Sequence, residues 1–112
     1  MDRQELEKLT RTYQVTQEQL QALAMQKEQF TAQREEQKAA LAELAKSKGK
    51  VYRSVGGVII ETTKEDAERD LKEKQESVEM RLSLVQKQHD EISKKEKSLR
   101  EEITAALKEQ GA

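Results

Sequence analysis

Apolar residues recur every seven positions along two stretches of this chain, and that spacing limits what it can fold into more than any other feature. Counted from Leu6 in alternating steps of three and four, the first stretch gives Leu6, Leu9, Tyr13, Thr16, Leu20, Leu23, Lys27, Phe30, Arg34, Gln37, Leu41 and Leu44; eight of these twelve are apolar. The second stretch places Leu71, Val78, Val85, Ile92, Leu99 and Ala106 at an unbroken spacing of seven, with Leu82 and Ile103 between them. Such a repeat keeps one narrow stripe of an α-helix apolar, which is the seam of a coiled coil. The spacing predicts a first helix over about residues 2–46, ended by Gly49, and a second over about 64–109. Thr63 followed by Asp66 marks the start of the second, as a capping box with Asp in place of Glu. Each helix would be roughly 65 Å long at about 1.5 Å per residue.

Composition rules out the main alternatives. Of the 112 residues 38% are charged and 34% apolar, with one Phe, two Tyr and no Trp, too little bulky side chain for a rounded core. Lys and Arg number 21 against 22 Asp and Glu, with both signs interleaved, so neither a nucleic acid nor an acidic membrane is an expected partner. No cysteine is present to form a disulfide, a thiolate metal site or a nucleophile. The opening residues lack the apolar core of a signal peptide, and the longest apolar run, Val58-Ile59-Ile60, is too short to span a bilayer. A soluble, cytoplasmic protein is expected.

Proline is absent, and three of the four glycines fall in the middle of the chain. There, residues 51–62 are rich in β-branched side chains and centred on Gly56-Gly57. A two-residue hairpin turn needs positive φ, which glycine adopts at little steric cost, so the segment reads as a β-hairpin between the helices. Its turn would put Val51, Arg53, Val55, Val58, Ile60 and Thr62 on one face of the ribbon and Tyr52, Ser54, Ile59 and Glu61 on the other. An isolated two-stranded ribbon is marginal in water, and this one carries exposed valines and isoleucines with both edges unpaired. Val51, Val55, Gly56, Gly57, Val58, Ile59 and Ile60 are therefore the expected oligomerisation residues, joining strands of other chains in an intersubunit barrel or sheet. A turn that merely linked two helices would not need three consecutive bulky apolar residues.

Folded back on itself, the chain would form an antiparallel two-helix coiled coil with one hairpin, a single mainly α domain spanning residues 1–112. Facing residues should then have position numbers of constant sum. Pairing like positions gives Leu44 with Leu71, Phe30 with Val85, Leu23 with Ile92 and Thr16 with Leu99 at 115, and Arg34 with Leu82, Lys27 with His89, Leu20 with Glu96 and Tyr13 with Ile103 at 116. The Lys27–His89 layer is polar on both sides and reads as a device that penalises shifted registers. His89 has no second His or Cys to join it in a metal site.

No phosphate-binding glycine loop, nucleophile with a base, or cluster of metal ligands appears, so no enzyme and no cofactor is expected. What remains is a binding protein. A structural coiled-coil adaptor or oligomerisation module is one form of it, and a helical arm that binds RNA is disfavoured by the interleaved charge.

One family matches the whole pattern. The stretch Val51-Tyr52-Arg53-Ser54-Val55-Gly56-Gly57-Val58-Ile59-Ile60, continued by Glu61-Thr62-Thr63-Lys64-Glu65-Asp66, resembles the β-type subunits of prefoldin, and so does the run from Asp70 to Leu82. The first helix is similar only in character. The α-type subunits of that family carry two hairpins, whereas this chain has room for one. The resemblance implies an ATP-independent chaperone, a hetero-hexamer of two α-type and four β-type chains joined through β-hairpins, from which coiled coils project. It further implies that the coiled-coil tips hold unfolded proteins and pass them to a group II chaperonin. Here the tip would be built from Leu6, Leu9 and Tyr13 of one helix and Ile103, Ala106 and Leu107 of the other, as the client-binding residues.

Overall fold

The computed structural model describes residues 1–111, and four elements account for nearly all of them. Helix α1 runs Arg3–Lys46, strands β1 and β2 are Val51–Val55 and Val58–Thr62, and helix α2 runs Lys64–Gly111. Both helices begin where side chains meet the orphan amides of a first turn. At α1, Asp2 and Glu5 form a reciprocal capping box: the Glu5 amide donates to Asp2 Oδ1 at 2.8 Å and the Asp2 amide to Glu5 Oε2 at 3.4 Å. At α2 the Asp66 amide donates to Thr63 Oγ1 at 3.1 Å, while the Asp66 carboxylate turns to Arg69 at 3.4 Å. The end of α1 is capped from a distance: Lys64 Nζ donates to the Ala45 carbonyl at 3.1 Å, placing a cation on the negative end of the helix.

The chain divides into two compact units. Residues 29–83 form one, holding the end of α1, the hairpin and the start of α2. Its helical stretches run antiparallel, with Arg34 Nη1 3.7 Å from Glu79 Oε1, and Leu44, Val78 and Leu82 are buried. In the hairpin β1 pairs antiparallel with β2, matching Val51 to Thr62, Arg53 to Ile60 and Val55 to Val58. Gly56 and Gly57 have φ of 56° and 83°, the two positive angles of a type I′ turn, whose twist suits the flanking strands.

Residues 1–28 and 84–111 fall in the other unit. They too run antiparallel: the terminal amine of Met1 is 3.9 Å from Glu109, and the Tyr13 hydroxyl donates to Glu96 Oε1 at 2.9 Å. Thr16, Val85 and Ala106 are buried, and Leu6, Leu9, Leu20, Leu23, His89, Ile92, Leu99 and Ile103 are half-buried. The buried Thr16 hydroxyl donates to the Thr12 carbonyl one turn back, at 2.8 Å.

These contacts correct the register read from spacing alone. Tyr13 reaches Glu96 rather than lying opposite Ile103, and Arg34 reaches Glu79 rather than Leu82. The seam is thus shifted by about one helical turn. The reason is geometric. Along one helix the step from an a position to the next d is three residues, but along a reversed partner the step from an a back to the preceding d is four. Like positions therefore cannot stay level, which is why pairing them required two different sums. Pairing each a with a d removes the conflict and sets Leu9 level with Ile103, Thr16 with Glu96 and Leu20 with Ile92. His89 then lies level with Leu23 rather than with Lys27, and Tyr13 and Glu96 make a polar contact between the helices.

Leu82 lies at 8% exposure and Met80, two residues before it, at 74%. Leu82→Ala is expected to cost about 2 to 4 kcal/mol in thermal denaturation followed by circular dichroism, whereas Met80→Ala should change stability by less than about 0.5 kcal/mol. Equal effects would contradict this seam.

Candidate functional site

The site begins with the hairpin, because two five-residue strands cannot shelter their own side chains. Val58 is 60% exposed, Ile59 73%, and Tyr52, Val55 and Ile60 each close to half, while Val51 is half-buried at the base. Alternation along the strands puts Val51, Arg53, Val55, Val58 and Ile60 on one face. That face turns toward α2, for Arg53 Nη1 lies 2.5 Å from Asp70 Oδ2. Between hairpin and helix runs an open groove of about 630 Å³, lined by Tyr52, Val55, Ala67 and Leu71 among others. The opposite face carries Ile59, the most exposed apolar side chain of the ribbon. The ribbon's outer edges pair with no strand among the described residues.

The helix ends give a different surface. Leu6, Leu9, Tyr13 and Ile103 are half-buried, Ala106 is buried at 4% exposure, and Leu107 is 54% exposed. All six belong to one unit, in which Met1 meets Glu109 near Leu6 and Leu107, while Tyr13 lies further along the stretch against Glu96. Only Leu107 presents most of its side chain, which lies one position past the seam residue Ala106.

Sequence reasoning missed the polar cluster behind that surface. Glu96 is only 16% exposed, accepts from Tyr13, and lies 3.9 Å from Arg100 Nη1; Gln17 Nε2 in turn donates to the Tyr13 hydroxyl at 3.2 Å. The available signal was a carboxylate at an a position, and the wrong register hid its partner. The hydrogen bond to Glu96, then desolvation and the nearby negative charge, hold the Tyr13 hydroxyl above its ordinary pKa of 10.0; Arg100 acts in the opposite direction.

Among the described residues no group of three or more His, Cys, Asp or Glu side chains could hold a metal ion, and no helix is long and apolar enough to cross a membrane.

Comparison with known proteins agrees with this geometry. The family model for prefoldin subunits matches residues 7–110. The prefoldin subunit beta of Methanosarcina acetivorans is 42% identical over 96 residues, covering 84% of this chain and 82% of that protein. That of Pyrococcus furiosus is 42% identical over 94 residues, covering 82% and 80%. The crystal structure of the prefoldin beta subunit from Thermococcus strain KS-1 superposes with a TM-score of 0.84 at 33% identity, covering 92% of each chain.

A raised tyrosine pKa means that folding favours the protonated phenol. Its contribution is present in full below the unfolded value of 10.0 and is lost as pH rises through the higher folded value. Stability should therefore fall on alkaline titration above pH 10, and Tyr13→Phe should make that fall shallower while lowering the melting temperature near neutrality. Identical alkaline slopes in the two proteins would show that the Tyr13–Glu96 bond is not maintained in solution.

Proposed function

This chain belongs to the prefoldin family, as a beta subunit, and on that premise we propose that it is a cytoplasmic holdase subunit that grips unfolded polypeptides without ATP. The family is one of non-enzymatic chaperones, and membership implies assembly with other prefoldin subunits. In the proposed complex two α-type and four β-type chains join through their hairpins. Clients are held at the helix ends and handed to a group II chaperonin.

The observation that carries this reading is the uncovered ribbon. Tyr52, Val55, Val58, Ile59 and Ile60 stand at 45% exposure or more, on a sheet with both outer edges free among the described residues. Full burial of a valine or isoleucine contributes about 1.5 to 3 kcal/mol, so several together can offset the cost of fixing one chain to another. Strands from neighbouring subunits would also pair the edges, which a covering helix would not do.

Support for client binding at the helix ends is of another kind. Leu6, Leu9 and Ile103 keep part of their surface uncovered, Leu107 more than half, and terminal turns fray. Weak apolar contacts of this sort bind extended chains with little regard to sequence. Several subunits acting on one client gain by effective concentration.

Two variants separate assembly from holding. Replacing Leu6, Leu9, Ile103 and Leu107 by Ser should leave assembly with α-type subunits intact and abolish suppression of aggregation of a denatured client; undiminished suppression would refute the assigned tip. Val55→Asp with Ile60→Asp should instead leave monomers or unfolded chains in sedimentation, because a barrel would have to bury unpaired charge. An intact complex from this variant would refute the assigned interface, and wild-type assembly without any effect on clients would favour an adaptor.

A further inference from the structure

The hairpin face that would be covered on assembly has a charge at its centre. Arg53 sits between Val51 and Val55 on β1 and directly across from Ile60 on β2. A guanidinium cannot be deprotonated at accessible pH, so covering that face leaves it either paired or stranded. An unpaired buried charge costs far more than any neighbouring valine returns. In this chain the partner comes from outside the ribbon: Asp70, seventeen residues on and in the second turn of α2, accepts from Arg53 Nη1 at 2.5 Å. Arg53 is 49% exposed and Asp70 38%, so in the free chain the pair sits in water and adds little to stability.

We propose that Arg53 and Asp70 are the positioning pair for subunit assembly: Asp70 holds the Arg53 face of the hairpin toward α2 and neutralises the guanidinium, so that strands of neighbouring subunits can pair with the ribbon's outer edges and enclose that face without stranding a charge. Two consequences are distinct. The first is orientation. The ribbon joins the helices through short connections, residues 47–50 on one side and Thr63 on the other, and the ion pair fixes its angle to α2. The second is desolvation. Glu73 and Lys74 line the same groove, and with opposite charges they do not replace a carboxylate bound directly to Arg53.

The inference rests on the assembly reading above, and two measurements keep the failures apart. On the isolated chain, nitroxide labels at Glu61→Cys and Glu76→Cys should give one narrow distance distribution that broadens when Asp70→Asn is added. An unchanged distribution overturns the orienting role whatever the chain assembles with. In titration against an α-type prefoldin subunit, Asp70→Asn should weaken binding at least about tenfold with helicity unchanged. Adding Arg53→Met should then recover part of the loss, because the stranded charge is gone. Binding of Asp70→Asn equal to wild type, or a double variant no better than the single, overturns the pair's role in assembly. A wild-type chain that binds no α-type subunit overturns the assembly reading itself.

Discussion

A two-stranded ribbon has two open edges and two faces, and among the described residues nothing covers enough of either to make it self-sufficient. Strands of five residues with Val55, Val58, Ile59 and Ile60 standing in solvent are the feature from which the remaining structure takes its meaning. The helices are built in the opposite way. Their heptad residues occupy a seam one stripe wide, which two antiparallel stretches bury wholly or in part, while Val15, Met25, Met80, Leu84 and Leu107 stand exposed outside it on an otherwise mostly polar surface. One part of the chain is sheltered by its own partner helix, and the other waits for a partner chain.

The polar contacts fall where apolar packing alone leaves something undecided. A heptad repeat fits several registers separated by whole turns, and Tyr13 with Glu96 favours one because a slip would take the tyrosine donor from a largely buried carboxylate and leave it only Arg100 of its own helix. Between the hairpin and α2 the ionic contact is Arg53 with Asp70, the pair proposed above to orient the ribbon. Lys64 joins the end of α1 to the start of α2 by capping the carbonyls of Ala45 and Ser47. Each contact adds little to stability and much to specificity, a division expected of half-exposed ionic and hydrogen-bonded pairs.

Much of the fold was legible in the sequence because its determinants are local. The seven-residue spacing fixes the helices and their seam stripe, β-branched residues around Gly56-Gly57 fix the hairpin, and Thr63 marks where α2 starts. The seam register was not legible from spacing when like positions were paired, since reversal of one helix interleaves a with d. The error hid the contact of Tyr13 with Glu96. Arg53–Asp70 left no signal at all: neither residue is unusual in its own element, and only the placement of the hairpin brings them together. For the candidate site, the exposed ribbon could be foreseen from composition. The gradation at the helix ends, from buried Ala106 to exposed Leu107, depends on packing that adjacent positions in the sequence do not distinguish.

The central claim is that residues 51–62 are completed by strands from other subunits, and amide hydrogen exchange across that segment tests it most directly. In the isolated chain, the outward-facing amides of β1 and β2 should exchange rapidly; mixing with other prefoldin subunits should slow them strongly, as new ladders form along both edges. Exchange along both edges that is unchanged in the assembled complex would contradict the account, because the ribbon would then have found no strands to join.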